Sequence, residues 1–225
     1  MEWMANMTPW KIAEACGGTY IGKEEEKERK ISSVVLDSRQ AEEGSCFLAV
    51  RGERVDGHKF IWDVLKAGAA CVVCEHAPEG ITGNFIVVKD TLKALQRIAE
   101  YYRSTLQIPI IGITGSVGKT STKEFIAGVL SRKYKVLKTE GNFNNEIGVP
   151  LTLLKIRPKH ELAVLEMGIN HFGEMHRLSR MVKPDACVMT NIGTCHLEFL
   201  GSREGILRAK SEIFDYLKDD GQVFV

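Results

Sequence analysis

The chain has 225 residues, 44% of them hydrophobic, with 30 basic against 29 acidic side chains. A balance this even offers no polycationic field to recruit nucleic acid or an anionic lipid surface, so neither is expected as a partner. No apolar stretch approaches the roughly 20 residues that cross a bilayer, the N-terminus lacks the pattern of a secretory signal, and six scattered cysteines are too few for a disulfide scaffold, so a cytoplasmic protein with reduced thiols is expected.

Thr8 and Pro9 ahead of WKIAEACGG supply a hydroxyl cap, a proline at the first helical position and a glycine stop, which predict a short helix. The mixed-charge run KEEEKERK at 23–30 reads as a solvated turn. Strands are expected at SSVVL, CFLAV, ACVVC and FIVV, with a helix over HKFIWDVLKAG closed by Gly68. Cys71 and Cys74 form a CxxC, but the β-branched run around them reads as a buried strand and no second pair completes a zinc site. This half reads as one small α/β unit.

Residues 91–106 place apolar side chains at helical spacing, and the domain boundary is set behind them: one domain over 1–107, a second over 108–225. In the second, strands at 109–113, 135–138, 161–166 and 185–190 alternate with helices at 119–131, 146–154, 173–181 and 203–217. Strict alternation implies right-handed crossovers and a parallel sheet with helices on both faces. The chain stops inside QVFV, an apolar run that reads as another strand with nothing after it to cover its face, so the sequence is expected to be a fragment.

Between the first strand and helix of the second domain lies GITGSVGKTST. The pattern GxxxxGK[ST] fits at Gly118, Lys119 and Thr120, but Ile113 stands where it calls for the first glycine, leaving TGxxGKT. The physics of a phosphate cradle remains. Glycines at 115 and 118 let the backbone N–H groups of Gly115, Ser116, Val117, Gly118, Lys119, Thr120 and Ser121 turn into one concavity at a helix N-terminus. Lys119 adds a point charge and Thr120 a hydroxyl for a magnesium ion.

In an open parallel sheet, ligands collect at the carboxyl ends of the strands. Glu166 ends the strand at 161–166, and His196 lies on the loop after 185–190. Glu166 alone reads equally as a solvated acid and His196 alone as an ordinary loop histidine, but at one sheet edge beside Thr120 they favour a divalent-metal site. GNFNNEIGVP adds Asn142, Asn144 and Asn145; one or two serve a turn, and the third invites a ligand rich in amides or hydroxyls.

The strings TGSVGKTSTKE, GNFNNEIGVP, EMGINHFGE, TNIGTCHLEFLGS and AKSEIF, in this order, resemble the Mur ligases, and LDSRQAEEGSCFLAVRGERVDGHKFIWDVLKAGA is similar to the UDP-binding N-terminal domain of that family. The GNxNN string points to the branch that adds D-alanyl-D-alanine to UDP-N-acetylmuramoyl-tripeptide. The resemblance implies an amide-forming reaction driven by ATP and magnesium, in which the donor carboxylate takes the γ-phosphoryl group and the acyl phosphate is attacked by the amine of D-alanyl-D-alanine.

By the same resemblance Lys119 would hold the β and γ phosphates. Thr120, Glu166 and His196, with Lys210 if carbamylated, would hold magnesium. Ser38, Arg39 and Arg51 would grip the uridine diphosphate, and the three asparagines would line the path of the muramoyl peptide. Lys210 also reads as an ordinary helix-surface cation. Relatives run to about twice this length, with the C-terminal acceptor domain beyond the end of this chain. The 225 residues are therefore expected to be a monomer, to bind ATP weakly at most, and to have no ligase activity alone. The alternatives are the related ligase that adds the third peptide residue, or a non-catalytic nucleotide-binding module. A folate-type polyglutamate ligase, which shares the P-loop, lacks the UDP-type first domain.

Overall fold

The computed structural model describes residues 2–52, 55–195 and 197–225; His196, named above as a metal ligand, lies outside them. The chain divides into two compact units, Met1–Thr105 and Leu106–Val225, slightly earlier than the division read from sequence.

The first unit opens with α1 (Pro9–Cys16), where Thr8 Oγ1 accepts from the Lys11 amide at 3.2 Å and Gly17, at φ 66°, turns the chain out of the helix. Then follow β1 (Thr19–Ile21), β2 (Val34–Val35) and β3 (Cys46–Leu48), α2 (Ile61–Lys66), β4 (Cys71–Cys74), β5 (Phe85–Val87) and α3 (Thr91–Ser104). The sheet order is β1-β5-β4-β3-β2, parallel except for β1, which runs antiparallel to β5. Three residues with an exposed–intermediate–exposed pattern carry no readable period, which is why β1 was not foreseen. Phe47, Val64, Val72, Cys74 and Phe85 pack into one core cluster. All four residues of β4 are buried, as a core reading of the CxxC requires, and burial pushes the Cys74 thiol up to about 11.

The second unit runs β6 (Ile110–Thr114), α4 (Lys119–Leu130), β7 (Val136–Lys138), α5 (Gly148–Leu153), β8 (Leu162–Glu166), α6 (Glu174–Val182), β9 (Ala186–Met189), α7 (Leu197–Leu200), α8 (Arg203–Ser211) and β10 (Gln222–Phe224). Its sheet is parallel throughout, in the order β10-β9-β6-β8-β7. The observed fold class is the expected one. Ile113, Ala127, Leu162 and Val164 close a core between α4 and the sheet; full burial of each branched side chain contributes about 2 kcal/mol. That packing fixes the start of α4, and with it the loop from β6.

Two helices differ from the reading. The segment expected as a helix over 203–217 is α-helical only to Ser211, then tightens through a 3₁₀ turn at Glu212–Phe214. Ser179 Oγ donates to the Ile213 carbonyl at 2.7 Å and accepts from the Tyr216 amide at 3.2 Å, so α6 takes the backbone groups that a continuing helix would have used. The short α7 was not expected. Phe125 and Val129, 77% and 72% exposed, border an open apolar groove beside Val188 and Phe224.

Candidate functional site

The strand order of the second unit places β8 directly beside β6, pairing Ile113 with Glu166. The end of β8 therefore stands next to the loop that leaves β6. That loop turns on Gly115 at φ 146° and Gly118 at φ 84°, both outside the range comfortable for an L side chain. A Cβ at position 115 would meet Thr190 Oγ1 at 2.0 Å, whereas at 118 the nearest atom lies 3.9 Å away. Gly115 is thus demanded by close approach as well as by its dihedral.

The loop leans on the strand end at β9. The Ser116 amide donates to the Asn191 carbonyl at 3.0 Å, the Val117 amide to Asn191 Oδ1 at 3.1 Å, and Thr190 Oγ1 to the Val117 carbonyl at 2.6 Å. The Gly193 amide completes the contact on Ser116 Oγ at 2.9 Å. Thr190 and Asn191 stand inside TNIGTCH but offered no spacing to mark them as loop supports.

Among the described residues no side chain caps the N-terminus of α4, which leaves its first N–H groups and the positive end of its dipole available to an anion. The Lys119 ammonium folds back onto the Gly115 carbonyl at 2.8 Å.

Thr120 and Glu166 meet: the hydroxyl donates to Oε2 at 2.9 Å, and Asn144 Nδ2 donates to Oε1 at 2.8 Å. Glu166 is 2% exposed. Two neutral donors satisfy the oxygens of this buried carboxyl group. The donor set of carboxylate, hydroxyl and amide oxygen is one that hard divalent ions accept.

Lys210 on α8 is 1% exposed, and burial, with a smaller contribution from the Lys119 ammonium, pushes its pKa below the ordinary lysine value, against an opposing pull from Cys195. Lys210 thus lies close enough to Lys119 to feel its charge, inside the fold, and is not the helix-surface cation that spacing also allowed. Glu212, at the end of α8, accepts from the amides of Gly173 and His176, both at 3.1 Å, and so ties α8 to the start of α6.

Of the three asparagines, Asn144 reaches Glu166, while Asn145 Oδ1 accepts from the amides of Ile147 at 3.1 Å and Gly148 at 2.8 Å and so shapes the entry to α5. Asn142 is exposed. Thr139 and Lys123 were not singled out from sequence, yet both touch this network: Thr139 Oγ1 accepts from the Glu166 amide at 2.9 Å, and Lys123 Nζ donates to the Thr139 carbonyl at 2.7 Å.

In the first unit the expected diphosphate-gripping residues are held by acids. Arg39 lies along Asp37, with Nε 2.9 Å from Oδ1 and Nη2 2.6 Å from Oδ2, and holds that carboxyl at about 2. Arg51 pairs with Asp56 at 3.3 Å and approaches Glu75 at 4.0 Å. His58 Nδ1 contacts Asp56 at 2.7 Å and its Nε2 accepts from the Glu75 amide at 3.0 Å, which orders this loop. Ser38 begins the 3₁₀ turn capped by Asp37.

Residues 113–225 match the Mur ligase middle domain, and residues 30–103 match the domain described as Mur ligase family, catalytic domain. The chain is 46% identical over 220 residues to the UDP-N-acetylmuramoyl-tripeptide–D-alanyl-D-alanine ligase of Bacillus subtilis, covering 97% of this chain and 48% of that protein. The Escherichia coli protein of the same name is 40% identical over 191 residues, 85% of this chain and 42% of its own length. The chain thus spans about half the length of the curated relatives it matches. Among solved structures, MurF from Acinetobacter baumannii superposes with a TM-score of 0.87 at 38% identity over 99% of this chain and 48% of that one. MurF from Thermotoga maritima in complex with ADP gives 0.77 at 36% identity over 85% of this chain and 44% of that one.

Proposed function

The chain belongs to the Mur ligase family, and from that premise we propose that it is the donor- and nucleotide-binding half of an ATP-dependent ligase that joins D-alanyl-D-alanine to UDP-N-acetylmuramoyl-tripeptide. It acts on peptidoglycan precursors in the cytoplasm and serves cell-wall synthesis. One observation carries the reading: Glu166, buried and held by Thr120 at 2.9 Å, sits beside the uncapped start of α4.

In this reading the second unit handles ATP. The backbone N–H groups of Gly115, Gly118, Lys119, Thr120 and Ser121 receive the phosphates, those of Ser116 and Val117 being taken by Asn191 contrary to the expectation from sequence, and Lys119 leaves the Gly115 carbonyl to meet the β and γ phosphates. Thr120, Glu166 and His196 would hold magnesium, which would supply Lewis-acid stabilisation of the phosphate charge. Burial favours the neutral amine of Lys210, the form that would add carbon dioxide and release one proton to solvent to give a carbamate; that anion would join the metal site. The preorganised positive charge acts where negative charge develops on the γ-phosphoryl group.

The first unit handles the uridine diphosphate end of the donor. Ser38, Arg39 and Arg51 take the uridine diphosphate, with Arg39, 87% exposed along its side chain, exchanging Asp37 for phosphate. Asn142, Asn144 and Asn145 border the muramoyl peptide, Asn144 with the carbonyl oxygen that Glu166 leaves free. D-Alanyl-D-alanine is received by the part of the relatives' length that this chain does not span.

The test is thermal. UDP-N-acetylmuramoyl-tripeptide raises the melting temperature of the 225-residue chain in proportion to the logarithm of its concentration, with about 2.7 kcal/mol gained at a hundredfold excess over Kd. No shift with the donor at millimolar concentration would overturn the donor assignment, and turnover of ATP with both substrates by this chain alone would overturn its reading as half a ligase.

A further inference from the structure

Lys123 lies one turn beyond Thr120 on α4, yet only 1% of it is exposed. Its ammonium donates to the Thr139 carbonyl at 2.7 Å and pairs with Glu124 Oε1 at 3.2 Å. Glu124 in turn holds Lys138, so two cations from α4 and β7 share one acid. Drawing an ammonium out of water is unfavourable unless its partners are well placed. Here it meets the end of an edge strand, since the Thr139 carbonyl directly follows β7, which pairs with β8.

Thr139, with no exposed surface, is the next link. Its amide donates to the Val164 carbonyl at 3.1 Å, and its hydroxyl accepts from the Glu166 amide at 2.9 Å. Lys123 therefore grips the residue that grips the backbone of Glu166, and the carboxylate of Glu166 is then oriented by Thr120 from the same helix as Lys123. α4 reaches Glu166 twice, through the carboxylate and through the main chain.

We infer that Lys123 is a positioning residue for the divalent-cation site, acting through Thr139 on Glu166; this rests on the proposed role of Glu166. Groups that orient a metal-bound carboxylate without touching the ion typically alter metal affinity by 10- to 100-fold. Sequence gives the same lysine no such weight, since a lysine on an amphipathic helix reads by default as solvated.

The test uses the 225-residue chain labelled with ¹⁵N, with ADP and manganese chloride as the probe. Paramagnetic broadening of the Thr120 and Glu166 amide signals reports the site directly. Lys123→Met and Thr139→Val each weaken manganese binding by about 10- to 100-fold and speed hydrogen exchange at the Glu166 amide. Both leave the affinity for ADP in EDTA unchanged. Thr139→Ser, which keeps the hydroxyl, restores manganese binding to within about threefold of wild type, a change a bulk loss of packing would not follow. A folded Lys123→Met chain with wild-type manganese affinity would overturn the inference; should that variant fail to fold, Thr139→Val decides in the same way. If the wild-type chain broadens neither Thr120 nor Glu166, the metal reading itself falls and the inference falls with it. Wild-type broadening with unaltered variants sinks the inference alone.

Discussion

The Thr120 hydroxyl donates to Glu166 Oε2 at 2.9 Å across 46 residues of chain. The contact joins the first turn of α4 to the end of β8, and it exists because β8, though the third strand of its sheet in chain order, after β6, β7 and two helices, inserts between β6 and β7. The arrangement brings a hydroxyl at a helix N-terminus and a buried carboxyl group on a neighbouring strand to one sheet edge.

Glu166→Gln tests the cost of keeping that carboxylate ready. Glutamine can accept from Asn144 and donate to Thr120 Oγ1, so both contacts survive while a buried charge is removed. The variant should be more stable than wild type by about 1 kcal/mol in urea unfolding and should lose the response of its melting temperature to manganese with ADP. A variant less stable than wild type by a similar margin would mean that the negative charge is already balanced within the fold.

The two loop glycines should differ in their tolerance of a methyl group. Gly115→Ala drives a Cβ to 2.0 Å from Thr190 Oγ1, and overpacking with an unfavourable dihedral should remove about 3 kcal/mol. Gly118→Ala has room and carries the dihedral strain alone, about 1 kcal/mol. Urea midpoints of the two variants give the comparison; equal losses would contradict the geometry.

Lys210 gives a pH signature with a defined sign. Its folded pKa lies below the ordinary 10.5 because burial disfavours the charged form. Between the folded value and 10.5 the unfolded chain binds more protons than the folded one, so stability rises with pH across that window and the penalty is fully present below it. Lys210→Met should therefore stabilise the chain by about 1–2 kcal/mol at neutral pH, with the advantage shrinking as pH approaches 10.5. Bicarbonate should add the mass of one carbon dioxide to the wild-type chain and none at this position in the variant.

Asp37 reports on Arg39. Its carboxyl sits at about 2 instead of 3.8, chiefly through the hydrogen bond from the Arg39 side chain, so the favourable contribution is complete above 3.8 and is lost as pH falls through about 2. If Arg39 leaves Asp37 for a diphosphate, saturating UDP should move the Asp37 pKa upward, toward 3.8, in a carboxyl-carbon NMR titration. A value unmoved by bound UDP would remove Arg39 from the donor site.

The alternation of strand and helix in the second unit was legible because each element is long enough to declare its period, and the phosphate loop because glycine, lysine and threonine occupy consecutive roles. The order of strands was not, and the site depends on it: that Glu166 lies beside β6 and that Asn144 reaches it are consequences of sheet order. Thr190 and Asn191, which support the loop, and Thr139, which holds the Glu166 amide, act on backbone groups of distant residues and leave no compositional trace. β1 was too short to show a period, and the end of α8 is set by Ser179 on another helix, which no local propensity encodes.

The most direct measurement is amide chemical-shift mapping of the 225-residue chain with magnesium and millimolar ADP. The account predicts movement over Gly115–Ser121 together with Glu166, with the Glu166 response disappearing when magnesium is chelated. Shifts confined to other segments, or a Glu166 signal indifferent to magnesium while the loop responds to ADP, would contradict it.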